Sequence, residues 1–362
     1  MSLWSRTRTA VLSAGVLAAL AASGAGADAA LRSPSAIPQV AAAPTPGAVQ
    51  PSTAAPATGG DGRIYNGVLA PPGSAAWQAE IYREISDARW AQHLSDHPQE
   101  TRAKWELQHW CGGALIAEYW VLTAAHCILV DEAVSDPLLK PAFAQQRDAV
   151  TVSRARQVSL SRCTSAQLVI DGFRIRLGAD DVSRGDGVSF RIDCAVVHRG
   201  WNPADMYHDD IALVHFVADG VPPVRDPKLI RQVRLHDDPV VAEGTSVTVT
   251  GWGKTVPVAG FAPSARLMMT SLDVEAGSSC ALELGVDPGR VDTRVLCAGA
   301  PDRKTCLGDS GGPVVFTQGR PTFLVGVVSW GRAACTVDAK PGVYTRVAAY
   351  REWIDDVLSA PP

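Results

Sequence analysis

Residues 302–313 read "DRKTCLGDSGGP", a serine set among glycines with an acid directly before it and a lysine six positions before it. A serine hydroxyl is a poor nucleophile at neutral pH. It needs a base within hydrogen-bond reach, a third group that fixes the base's tautomer, and donors aimed at the oxyanion formed on attack. Gly308-Asp309-Ser310-Gly311-Gly312 suits the last need, because glycine lets the backbone turn tightly and point N–H groups into a cavity. The amides of Gly308 and Ser310 are therefore candidate oxyanion donors. Taken alone, the pentapeptide also reads as an ordinary glycine-rich turn, so the partners must decide.

Two other stretches supply them. "CGGALIAEYWVLTAAHC", residues 111–127, puts His126 just after a strand-like run. "HDDIALVHF", residues 208–216, puts Asp210 at the head of a buried strand. An acid entering a core calls for a charged or hydrogen-bonded partner. The three segments, in the chain order His126, Asp210, Ser310, resemble the trypsin- and chymotrypsin-like serine proteases from residue 63 to about residue 358.

The resemblance implies a fold and a set of roles. The fold is all-β: two packed six-stranded antiparallel β-barrels with a C-terminal α-helix. His126 is general base and then general acid, Asp210 rather than Asp209 orients it, and Ser310 attacks the scissile carbonyl. Ser329-Trp330-Gly331 corresponds to the segment that pairs with the substrate backbone, and "GWGKT", residues 251–255, to a structural hallmark. Arg63-Ile64 marks an activation cut, after which the new ammonium of Ile64 pairs with Asp309. Tyr65 and Asn66 depart from the small residue and glycine usual there, but Asn tolerates a left-handed backbone. The implied disulfides are Cys111–Cys127, Cys280–Cys297 and Cys306–Cys335, which leaves Cys163 and Cys194 to pair by elimination.

Relatives that cut after Arg or Lys carry an aspartate six positions before the nucleophile, where this chain has Lys304. Gly331 and Gly342 stand where glycines keep the pocket walls open. A cation at the base of an open pocket repels a basic side chain. Three readings follow: attraction of an acidic side chain, acceptance of a neutral one if Lys304 turns to solvent or pairs with Asp302 or Asp338, or a rearranged loop that still admits a basic one.

The rest of the chain is consistent with an exported protein. Arg6 and Arg8 followed by an apolar run over residues 10–22 read as a signal peptide within residues 1–30, with Ala25-Gly26-Ala27 as a cleavage site. Residues 31–63 form an Ala/Pro-rich pro-segment expected to be disordered, and 64–362 the protease domain. The expected location is secreted, extracellular or periplasmic, with no membrane association of the mature form. Eight cysteines in an exported chain point to four disulfides, and the absence of any Cys-x-x-Cys pair argues against zinc. No metal or cofactor is expected. By the resemblance, the acidic loop over residues 178–188 lies where some relatives bind calcium, but Ala179 stands where the first acidic ligand is expected. A net charge of −4 argues against nucleic acid. The expected partners are protein or peptide substrates, an activating protease and protein inhibitors.

Short β-branched runs between turn signals, among them "WVLTAA", "FRIRLG", "TSVTVTGWG" and "FLVGVVSWG", fit a barrel or sandwich without help from the resemblance. Helical spacing predicts a terminal helix over 347–358, packed on the last barrel, and a second helical stretch over 82–107. Segments 83–108 and 129–172 are insertions relative to the family, either shaping recognition or merely decorating the surface. Two rival classes remain. A catalytically silent binding protein on this fold would be expected to lack a triad member, and an esterase or lipase would need a different chain order.

Overall fold

The structure is a computed structural model. It describes residues 64, 66–128, 172–202, 208–218, 226, 228–238, 241–254, 263–319, 321–331 and 340–360. The expected signal peptide and pro-segment, Arg63, Cys163, Cys335, Asp338 and most of the 129–172 insertion lie outside these residues.

Two closed barrels make up the fold. The first joins β2 (Gln78–Arg83), β3 (His109–Ala117), β4 (Trp120–Thr123), β7 (Ala212–Val217), β6 (Val188–Val197) and β5 (Phe173–Leu177) in that order. The second closes through β9 (Ser246–Gly251), β10 (Met268–Glu275), β11 (Val295–Gly299), β14 (Gly342–Arg346), β13 (Thr322–Gly331) and β12 (Pro313–Thr317). All pairings within the rings are antiparallel. The short strands β1 (Val68–Leu69) and β8 (Arg234–Leu235) add to β10 and β13.

Closure follows from period-two burial. β5 alternates buried and half-buried residues along "FRIRL", and β10 alternates buried with half-buried or exposed ones along "MMTSLDVE". Ile81, Leu115, Ile175, Leu177, Leu213 and Phe216 fill the first barrel, and Val247, Val249, Leu272, Leu296, Val314 and Tyr344 the second. Each such side chain contributes roughly 1.5–3 kcal/mol on leaving water.

Two helical expectations need adjustment. The 82–107 stretch is not one helix: β2 runs to Arg83, and only α1 (Asp87–Asp96) and α2 (Lys104–Gln108) are helical. Ser86 caps α1 by accepting the Arg89 N–H at 3.3 Å, and Pro98 falls between the two helices, where it cannot continue the first. α3 (Gly277–Leu284) carries Cys280 to its disulfide with Cys297. The terminal segment begins as a 3-10 turn, Val347–Tyr350, and continues as α4 (Arg351–Ser359). Its buried residues Val347, Tyr350, Ile354 and Val357 belong to the same apolar cluster as the first barrel's core. The terminal segment therefore reaches beyond the last barrel, and Tyr350 and Trp353 both meet His198 of the first barrel edge on.

Candidate active site

Strand register brings the histidine and the acid together. β4 and β7 pair with Thr123 opposite Ala212. His126 lies three residues past that point, in the 3-10 turn Ala125–Cys127, and Asp210 two residues before it. The Asp210 carboxylate accepts the His126 backbone N–H at 2.9 Å through Oδ1 and faces His126 Nδ1 at 2.7 Å through Oδ2. An Nδ1 held against a carboxylate carries the ring proton, which leaves Nε2 as the base.

The second barrel closes over the same acid. The Ser329 hydroxyl of β13 donates to Asp210 Oδ2 at 2.5 Å, and the Thr345 hydroxyl of β14 donates to the Asp210 carbonyl at 2.8 Å. Asp210 is 1% exposed. Burial alone would raise its carboxyl, but the charge and hydrogen bond of His126 and the Ser329 hydroxyl together bring it below the usual value of 3.8. For His126 burial acts downward and is the largest single influence, but the Asp210 charge and hydrogen bond together outweigh it, so the ring sits above 6.5.

Ser310 lies in the turn before β12, beside the Cys111–Cys127 disulfide. Its carbonyl accepts the Gly112 N–H of β3 at 2.7 Å. A Cβ on the next residue, Gly311, would stand 3.1 Å from Cys127 Sγ, and His126 Nε2 is 3.8 Å from that same sulfur. Ser310 and His126 thus flank one disulfide, although among the described residues no hydrogen bond joins the hydroxyl to the ring. Cys111, His126 and Cys127 also form a cluster with metal-ligand spacing, but both sulfurs are spent in the S–S bond and offer no thiolate.

The turn before Ser310 fits the expected donors. Gly308 has φ 96°, a backbone that a side chain would strain. Among the described residues the amides of Gly308 and Ser310 have no acceptor. His109 Nε2 donates to the Gly308 carbonyl at 3.0 Å, while His109 Nδ1 meets Glu80 Oε1 at 3.0 Å and Arg176 meets the other Glu80 oxygen at 3.0 Å. Sequence reasoning missed His109 and Glu80. Their only signal is a polar residue inside an otherwise buried strand, which a lone sequence cannot separate from a surface position.

Asp309 is fully buried and turned away from Ser310. Its oxygens accept the Gly253 N–H at 2.9 Å and the Cys306 N–H at 2.8 Å. Gly253 permits this approach, since a Cβ there would lie 2.4 Å from Asp309 Cγ. Burial pushes the carboxyl up to about 6, only partly opposed by those two amides and the His109 charge. Ile64 is likewise fully buried, its carbonyl accepts the Gly67 N–H, and Asn66 adopts a left-handed φ of 55°.

Two residues expected to keep a specificity pocket open, Gly331 and Gly342, face each other across β13 and β14. A Cβ on Gly342 would stand 2.6 Å from the Tyr344 hydroxyl, which itself lies 3.4 Å from Thr305 Oγ1. Lys304 is buried, with 9% of its surface exposed. The pairing of β12 with β13 ends at Val327, so β12 does not cover Ser329-Trp330-Gly331. Cys194 and Cys306 are disulfide-bonded as well, and their expected partners lie outside the described residues. In the 178–188 loop the carboxylates bond locally: Asp181 to Ser183 and Arg184, and Asp186 to the Asp181 N–H.

Comparison with known proteins finds a family match. A family model described as Trypsin matches residues 64–168 and 161–354. Over 295 residues the chain is 28% identical to a protein named Trypsin from Sarcophaga bullata, an alignment covering 82% of this chain and 89% of that protein.

Proposed function

From the premise that this chain belongs to the trypsin family of serine peptidases, we propose that it is itself an active, secreted endopeptidase acting through Ser310, His126 and Asp210. The observation that carries this reading is the double engagement of His126 by the buried Asp210 carboxylate, through the backbone N–H and Nδ1. It leaves Nε2 to take the Ser310 proton as the hydroxyl attacks a peptide carbonyl, and to return it to the leaving amine. The free amides of Gly308 and Ser310 stabilise the oxyanion. A substrate strand adds along Ser329-Trp330-Gly331.

The chain is made as an inactive precursor and activated by cleavage after Arg63. Asp309 supports this step: a carboxyl raised by burial is one that a buried ammonium would stabilise. Activity should then decline at alkaline pH as the Ile64 ammonium loses its proton.

The buried Lys304 supports rejection of basic side chains by the specificity pocket, which takes acidic or neutral ones. An enzyme of that preference cannot cut after its own Arg63, so activation falls to another protease.

Three measurements test the reading. A serine-directed phosphonate should label Ser310 only after cleavage at 63–64, and Ser310→Ala should abolish both labelling and peptide cleavage. A peptide panel varying only the residue before the cut should show Arg and Lys disfavoured, and Lys304→Asp should restore them. No labelling of the processed chain would favour a silent binding protein, and strong wild-type cleavage after Arg would overturn the pocket assignment.

A further inference from the structure

Asp209, directly before the acid that holds His126, has a left-handed backbone at φ 57°. That region is unfavourable for a residue with a side chain, so neighbours must hold it there. The Tyr350 hydroxyl accepts the Asp209 N–H at 3.1 Å and donates to Asp209 Oδ1 at 3.0 Å. Arg294 Nη1 stands 3.2 Å from Oδ2, and His198 Nδ1 3.6 Å from Oδ1. The groups converge from three separate places: the end of β6, the approach to β11 and the turn before α4.

The consequence falls on Asp210. The Ile211 N–H bonds back to the Asp209 carbonyl at 2.8 Å, so Asp210 is the middle residue of a three-residue turn. The Ile211 carbonyl in turn accepts the His198 N–H at 3.0 Å. The direction in which the Asp210 side chain leaves the backbone is therefore set by a turn whose first residue is clamped from outside the site.

We infer that Asp209, Tyr350 and Arg294 are positioning residues for the reaction: together they hold the turn that aims the Asp210 carboxylate at His126. This rests on the function proposed above, but its first test does not need activity.

The groups around the clamp are few. Asp210 faces His126, Ser329 and Thr345. Asp209 faces Tyr350, Arg294 and His198, with Arg199 and the Asp292–His208 pair beyond them. Tyr350→Phe removes both hydroxyl bonds and keeps the ring that packs on His198 with 5.0 Å between ring centroids, so the fold should persist.

The test is an NMR titration of the His126 imidazole in the full-length Ser310→Ala chain. Loosening the carboxylate weakens its hold on the imidazolium, so Tyr350→Phe and Asp209→Ala should each lower the His126 pKa by about half a unit or more. Asp209→Asn, which tolerates the left-handed backbone and still accepts from Tyr350, should restore it. In processed enzyme the same two variants should lower kcat roughly tenfold with KM nearly unchanged, and move the acid limb of kcat/KM to lower pH. An unshifted His126 in both variants overturns the inference, as does an Asn variant that shifts as far as Ala. A shifted His126 in a processed chain inert to peptides and phosphonate would uphold the clamp and refute the endopeptidase reading.

Discussion

Asp210 and Asp309 are both sealed from water, at 1% and 0% exposure, yet their carboxyls move in opposite directions. Burial pushes both upward. At Asp210 an imidazole at 2.7 Å and a serine hydroxyl at 2.5 Å more than offset it. At Asp309 two backbone amides and the weaker influence of the His109 charge do not, and the carboxyl stays near 6. Two peptide dipoles do not replace one adjacent positive charge when a carboxylate leaves water. The first acid is finished as soon as the chain folds. Under the activation proposed above, the second receives its cation only after cleavage.

The largest expected effect breaks the finished site. Asp210→Asn should lower kcat about 10⁴-fold, the loss known for this constellation, because an amide no longer fixes the Nδ1–H tautomer. Steady-state kinetics on processed enzyme checks this, and a loss under tenfold would put another residue in Asp210's role. Next, Ser329→Ala removes one donor from Asp210 and should cost roughly tenfold in kcat, the scale of one hydrogen bond to a charged group. Unchanged kinetics would make that contact irrelevant to the chemistry.

The smallest effect sharpens the contrast at Asp309. Its folded carboxyl lies above the unfolded value of 3.8, so the folded state binds the proton more tightly. Its contribution makes the precursor more stable as pH falls from 7 to 5, by about 1 kcal/mol, before flattening below 3.8. His126, also raised, slopes in the same direction, so the readout is the difference between Ser310→Ala chains with and without Asp309→Asn. Denaturant melts should show that segment lost in Asp309→Asn, and lost again after cleavage at 63–64, where an ammonium would stabilise the ionised form. Asp210, lowered, stabilises the fold in full above about 3.8 and loses that contribution only as pH falls below it, so the two acids separate by pH window.

Much of the fold and of the candidate site is legible in the sequence. Local chemistry was the readable part: glycines around Ser310, a histidine beside a cysteine, an acid ahead of "IAL". Strands announced themselves wherever β-branched residues crowd, as in β9 and β13, and the terminal segment buries Val347, Tyr350, Ile354 and Val357 at the expected spacing. What stayed hidden depends on distant pairings. The sequence marks Ser329 as a substrate-strand residue, and nothing near it in sequence says that its hydroxyl reaches Asp210, 119 residues away. His109 and Gly308 are 199 residues apart. The 83–108 insertion resisted for another reason: α2 sits against β2 and β3, and the mixed composition of both short helices carries no single apolar stripe long enough to register.

The burial of Ile64 has a kinetic corollary. A protease that severs the bond before it needs several residues of extended, reachable main chain on both sides, and a side chain with no accessible surface denies that on one side. If the chain is activated as proposed above, cutting waits for brief excursions in which the isoleucine leaves its socket and the Gly67 N–H releases its carbonyl. The speed of maturation would then be governed by how often that small segment detaches, and residues lining the socket would act as a timer without touching either enzyme's catalytic groups.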